Sequence, residues 1–172
     1  MINVNCKSEK AYPEIKVEKK NREYAKLLLE DYAGYRSEDM AIHLYLYQSL
    51  VLDETEKELS DNLKSISKVE MHHLDMLGKT IKLLGLNPVY ASISEDGFQI
   101  PWTSATVDYT TDLKKMLSVD IERESSAIDI YKRHKNLIDD KYIKNLIDRI
   151  IEDEKIHLAI FNYYYQKIFY AQ

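Results

Sequence analysis

The chain has 172 residues, enough for one domain whose core needs neither disulfides nor a structural zinc. Its single cysteine, Cys6, excludes an internal disulfide and a four-cysteine metal site, a usage that suits a reducing compartment. The net charge of −5, with 24 basic and 29 acidic residues interspersed, leaves no basic stripe for nucleic acid and nothing to favour an anionic membrane. Residues 1–21 are polar and extended or loosely ordered, with Pro13 inside and no apolar run of a signal peptide. No stretch approaches the roughly 20 apolar residues of a membrane span, so a soluble, cytoplasmic protein is expected.

From Arg22 to Leu52 the pattern turns helical, with Ala25, Leu28, Leu29 and Tyr32, then Ala41, Ile42, Tyr45 and Leu46 at three- and four-residue steps and Gly34 marking a bend. Asp53, with Glu56 three residues on, reads as the N-cap of a second helix. That helix carries Leu59, Leu63, Ile66, Val69, His73, Leu77 and Ile81 to about Leu84, where Gly85 and Pro88 end it. Residues 85–110 hold Asn87-Pro88, Asp96-Gly97 and Pro101 beside the short strand-like stretches Val89-Tyr90 and Phe98–Ile100. They read as a long crossover packed on the helices. A third helix starts near Thr110 or Thr111 and runs to about Leu137; Asp139 or Asp140 caps a fourth, to about Phe169. The expected fold is all-α: residues 22–172 as a four-helix bundle of two antiparallel hairpins joined by one long crossover, the topology of ferritin-like bundles.

The second helix contains Glu70-Met71-His72-His73 and the fourth Glu154-Lys155-Ile156-His157, each a Glu-x-x-His. An i, i+3 pair shares a helix face, so carboxylate and imidazole can converge on one ion. The first and third helices both read Glu-x-x-Ala-Ile-x-x-Tyr, at Glu38–Tyr45 and at Glu124–Tyr131, so the chain is a weak internal repeat. Glu38 lies 15 residues before a turn at 53 and Glu70 lies 17 after it; Glu124 lies 14 before a turn at 138 and Glu154 lies 16 after it. All four Glu therefore fall in one layer, with His73 and His157 a turn away. Four buried carboxylates in one layer repel and lose hydration unless neutralised, and two divalent cations supply the required +4. A Glu from each of two helices plus Glu-x-x-His from the other two is the di-metal pattern of such bundles. Mixed carboxylate and imidazole donors without thiolate suit iron or manganese, and admit zinc.

On the stretches Ser37–Ser49, Val69–Gly85, Glu124–Tyr131 and Ile151–His157, the sequence resembles the ferritin-like superfamily, and within it rubrerythrin-like proteins and relatives of manganese catalase. The resemblance implies that Glu70 and Glu154 bridge two metals, while Glu38 and Glu124 are terminal ligands, one per metal, each with one His. It implies a di-iron or di-manganese oxidoreductase acting on hydrogen peroxide or dioxygen, in a homo-oligomer. Its alternatives are an iron-oxidising, bacterioferritin-like storage subunit and a structural, spore-coat-like protein that keeps the bundle. Rubrerythrin proper also carries a four-cysteine rubredoxin domain, and a further ligand Glu where this chain has Ala127. The remaining donor set is symmetric, as in bacterioferritin, and a peroxidase would need an external electron donor.

Glu122 and Asp120 lie close enough to compete with Glu124 for the ligand position, and the repeat with Glu38 favours Glu124. Tyr45 and Tyr131, seven residues after their Glu, are either half-buried core tyrosines or groups that act on the centre by hydrogen bonding or redox chemistry. Asp153 either is solvated or accepts the proton of a ligand imidazole. His43 and His134 read as structural, His72 as surface or interface, and Cys6 as a tail thiol without a role. Tyr163–Tyr165, Phe169 and Tyr170 cap the bundle core or form a dimer contact.

Overall fold

The computed structural model describes residues 6–94 and 96–170. The start of the expected N-terminal segment, before Cys6, lies outside these residues. Five α-helices build four bundle members: α1 (Arg22–Ala33), α2 (Glu38–Leu52), α3 (Lys57–Leu84), α4 (Leu113–Leu137) and α5 (Lys141–Phe169). α1 and α2 together form the first member, so the expected bend at Gly34 is a full interruption. Gly34 closes α1 by donating its N–H to Glu30 O, and a side chain there would meet that carbonyl at 2.5 Å. Ser37 then starts α2, its hydroxyl accepting from Met40 N.

Asp53 does not cap α3. It ends α2, and α3 begins at Lys57 with no side-chain cap. The carboxylate instead accepts from Lys57 and Lys64 and from the Ser60 hydroxyl. α3 keeps Leu59, Leu63, Ile66, Val69, His73, Leu77 and Ile81 on its buried face. It ends at Gly85, whose φ of 98° lies in the left-handed region that glycine adopts without strain. The crossover contains an antiparallel pair, β1 (Ala91–Ile93) and β2 (Gln99–Pro101), in the register Ala91↔Pro101. α4 starts slightly later than expected, capped by Asp112, and Asp140 caps α5 through Tyr142 N and Ile143 N.

Two apolar clusters fill the bundle. One joins α1 to the C-terminal half of α3, the end of α4 and the first half of α5, through Leu28, Leu77, Ile81 and Ile147. The other joins α2 to the first half of α3, the start of α4 and the end of α5, through Leu44, Leu63, Ile66 and Phe161. Tyr164 is buried in the second cluster with Tyr165 and Phe169 packed on it, whereas Tyr163 and Tyr170 are exposed. The C-terminal aromatics therefore cap the core only in part. Between the clusters lies a layer of buried ionisable side chains. Among the described residues no helix is long and apolar enough to cross a membrane.

Candidate metal centre

Glu38, Glu70, Glu124 and Glu154, with His73 and His157, occupy this layer, and none is more than 5% exposed. α3 and α5 each present Glu and His one turn apart, while α2 and α4 each present one Glu. Two donor groups result. One atom each from Glu38, Glu70, His73 and Glu154 lie within 4.8 Å of one another, and so do atoms from Glu70, Glu124, Glu154 and His157. Glu70 and Glu154 belong to both groups. Glu70 places Oε2 2.9 Å from His73 Nδ1 and Oε1 3.0 Å from His157 Nδ1. Glu154 places Oε1 3.1 Å from His73 Nδ1 and Oε2 3.3 Å from His157 Nδ1. Glu38 approaches only His73, at 3.7 Å, and Glu124 only His157, at 3.9 Å.

The far side of each imidazole settles its tautomer. His73 Nε2 faces Asp153 Oδ2 at 3.0 Å, and His157 Nε2 faces the Cys6 carbonyl at 2.8 Å. Both partners only accept, so each Nε2 carries a proton and donates it. A neutral imidazole then aims the Nδ1 lone pair at carboxylate oxygens, which needs a cation between them. Glu70 Oε1 and Glu154 Oε1 are buried and face only an imidazole Nδ1, that of His157 at 3.0 Å and that of His73 at 3.1 Å. Four converging carboxylates and two inward Nδ1 lone pairs fit two divalent cations, the charge that four carboxylates require.

Without metal, protons must serve instead. Burial pushes Glu38 and Glu124 well above the carboxylate range, reinforced by their charged neighbours Glu70 and Glu154. Burial acts likewise on Glu70 and Glu154, but the two imidazoles outweigh it and hold both below the usual value. Burial opposes charge on His73 and His157, yet the surrounding carboxylates raise both well above 6.5. Two anions, two imidazolium cations and two neutral acids leave the metal-free layer without net charge.

Tyr45 donates to Glu124 and Tyr131 to Glu38, each crossing from one hairpin to the other. Both tyrosines are buried, and these carboxylates satisfy their hydroxyls. Asp153 accepts from Tyr12 Oη at 2.5 Å, Arg149 Nη1 at 2.6 Å and Ser8 N at 2.6 Å. These bonds and the one from His73 overcome the effect of burial and hold it at about 2. Arg149 in turn donates to Lys10 O and Ser8 O. The segment from Cys6 to Tyr12 is thus a strap across the outer faces of both imidazoles. Cys6, expected in a polar tail, is instead buried in the second apolar cluster, and its main-chain carbonyl accepts from His157. The alternation of Ile15 and Val17, both packed on the first cluster beside Tyr12, is the sequence signal that could have revealed a docked extended segment.

The competitors for the ligand position stand apart. Asp120 is buried one turn away and accepts from Gln48 Nε2, and Glu122 pairs with Arg36 at the surface. His43 lies outside, its ring 4.7 Å from that of Trp102, and exposed His72 meets Tyr12 edge-on. His134 is buried against Asp31.

A bundle of two helical hairpins with one crossover, holding two overlapping Glu3His groups in one layer, defines a ferritin-like di-metal carboxylate protein. The rubrerythrin family model matches residues 32–165, and the chain belongs to that family. A probable manganese catalase of Clostridium acetobutylicum is 28% identical over 169 residues, which span 86% of this chain and 72% of that one. A bacterioferritin of Desulfovibrio desulfuricans is 30% identical over 129 residues, spanning 74% of this chain and 65% of its own length. Among solved structures, the manganese catalase KatB of Anabaena PCC7120 superposes with a TM-score of 0.83 at 22% identity, over 94% of this chain and 79% of that one. The Desulfovibrio desulfuricans bacterioferritin gives 0.69 at 24% identity, over 85% and 80%.

Proposed function

We propose that this chain is a non-haem di-metal oxidoreductase that breaks down hydrogen peroxide. Glu38, Glu70, His73, Glu124, Glu154 and His157 would hold two iron or two manganese ions, with Glu70 and Glu154 shared between them. The observation that carries this reading is that each of these two carboxylates turns one oxygen toward each imidazole, while Glu38 and Glu124 face one apiece. When bound, two such ions supply a two-electron couple, so that peroxide can be oxidised or reduced without releasing radicals.

The chain's own residues do the rest. Tyr45 and Tyr131 hold Glu124 and Glu38 by hydrogen bonds, which fixes the unshared carboxylates. Ala127 lines a partly open pocket between α2 and α4 that holds about 20 Å³ and reaches the four Glu. A water-sized molecule needs roughly 10–15 Å³ measured in this way, so the pocket admits a molecule about as small as peroxide. Turnover by catalase chemistry would need no further reagent; peroxidase chemistry would need an electron donor. Exposed Leu46 and Leu50 on α2 fit the expectation of a homo-oligomer.

The symmetric donor set and the bacterioferritin relative favour iron oxidation and storage as the second reading. Metal analysis and peroxide turnover with and without a reductant separate the two. The expected result is two iron or manganese ions per chain and rapid peroxide loss from a small oligomer. Protein with two metals per chain and no peroxide turnover under either condition would sink the proposal; a shell of about 24 such subunits would establish the storage reading.

A further inference from the structure

The internal repeat extends one step beyond the tyrosines. Three residues after Tyr45 stands Gln48, which donates to Asp120 of the opposite hairpin at 2.9 Å. Three residues after Tyr131 stands His134, whose Nδ1 lies 2.9 Å from Asp31 of the opposite hairpin. The two halves are built alike, but one ends in a buried amide, which does not carry protons, and the other in an imidazole, which does. Gln48 is fully buried.

The titratable half leads outward. Asp31 lines the partly open pocket at the centre together with Glu38 and Tyr131. His134 lines a separate surface groove with Glu30 and Arg133, rimmed by Glu23 and Lys26. The hydrogen-bonded pair therefore forms the wall between the two spaces. His134 Nε2 lies 3.2 Å from Glu30 Oε2, and Arg133 holds the other oxygen of Glu30 at 3.1 Å. The Glu30 side chain is 45% exposed, against 1% for both His134 and Asp31. Burial pushes Asp31 up to about 6, and Asp31 and Glu30 carry His134 up to about 9 against the effect of burial.

We propose that Asp31 and His134 form a proton path between the solvent at Glu30 and the pocket beside Tyr131. It deepens the peroxide reading and rests on it for its catalytic use. Reduction of peroxide consumes two electrons and two protons to give two waters, and oxidation of peroxide to dioxygen releases two of each. A proton entering from Glu30 bonds to His134 Nε2. The proton on Nδ1 then leaves its nitrogen for the Asp31 carboxylate. Asp31 gives up that proton to the pocket it lines with Glu38 and Tyr131. One proton enters and one emerges, no electron moves along the path, and the imidazole, left with its proton on Nε2, regains the Nδ1 tautomer before the next transfer. Outward flow is the reverse. The half that ends in Gln48 has no such step, so proton exchange is one-sided.

The test needs a readout apart from turnover. Loading metal-free protein with Zn(II), which has no redox chemistry, displaces protons from the centre, and an indicator dye in a stopped-flow instrument follows their arrival in solvent. His134→Gln copies the other half and keeps a hydrogen-bonding side chain. It is expected to bind the same two zinc ions and release the same number of protons, on the order of 100-fold more slowly. Added imidazole should restore the rate, which a purely structural defect would not allow. Glu30→Gln, at a half-exposed position where the amide keeps the hydrogen-bonding shape, should slow release in the same direction by less. Release at the parent rate in both variants would overturn the path. Should His134→Gln not fold, Glu30→Gln decides, and a parent rate there counts against it. Slow release in the variants beside a parent protein without peroxide turnover would retain the path and dismiss the peroxide function.

Discussion

At the scale of single residues, the two imidazoles of the centre differ in what holds them. His73 donates to a carboxylate, itself fixed by Tyr12, Arg149 and Ser8, whereas His157 donates to the neutral carbonyl of Cys6. A carboxylate behind an imidazole raises its basicity and fixes its orientation, and its loss typically costs 10–100-fold in metal affinity. Asp153→Asn should therefore weaken one of two sites by about that factor and leave the site at His157 close to its parent affinity. Calorimetric titration of metal-free protein with Mn(II) would show two unequal steps; two equal steps at the parent affinity would refute the asymmetry. Glu70, His73, Glu154 and His157 were legible in the sequence because an i, i+3 pair is local, and Glu38 and Glu124 because the repeat placed them at matching height. The partners of Tyr45 and Tyr131 were not, since each reaches the opposite hairpin, and no local spacing encodes which of two buried carboxylates a hydroxyl meets across a bundle.

At the scale of elements, helix cores were easier to read than helix junctions. The apolar rows of α3 and α5 repeat over seven or eight turns and leave no choice of face. At the first hairpin, Asp53 and Glu56 carry the spacing of a cap, yet Lys57, Lys64 and Ser60 engage the Asp53 carboxylate and the helix starts later without it. Gly34 is an interruption because its close approach to the Glu30 carbonyl leaves no room for a Cβ. The strap was the element most completely missed, for its hydrogen bonds run to residues about 140 positions away. Removing residues 1–10 takes away the Cys6 carbonyl and the Ser8 and Lys10 contacts of Asp153 and Arg149, while both apolar clusters keep their large side chains. The truncated chain should retain its helical circular dichroism but bind both metals about tenfold or more weakly. A truncated chain with unaltered affinity would show that the strap only covers the centre.

At the scale of the whole molecule, the buried layer couples metal, protons and stability. A metal-free centre holding two neutral acids and two imidazolium cations gives up four protons when its carboxylates and imidazoles become ligands, so apparent affinity should rise steeply with pH. The same groups set the stability of the metal-free protein. His73, His157 and His134 all have folded values raised above 6.5, so the folded chain binds more protons than the unfolded one as pH rises past that point. Their stabilisation is complete below about pH 6.5 and is lost upward, through about 9 for His134. Raised Glu38 and Glu124 act in the same direction from 4.5 upward, whereas lowered Glu70, Glu154 and Asp153 withdraw support only on acidification. Metal-free protein should thus melt at progressively lower temperature from pH 6 to pH 9. Free metal at 1,000 times Kd adds about 4 kcal/mol per site and replaces the protons as the neutralising charge, so the loaded protein should lose most of that dependence. Thermal melts at four pH values, with and without Mn(II), measure both slopes. A metal-free melting temperature that climbs over this range would mean that the buried carboxylates are not neutralised by protons, and the charge balance of the layer would have to be sought elsewhere in the bundle.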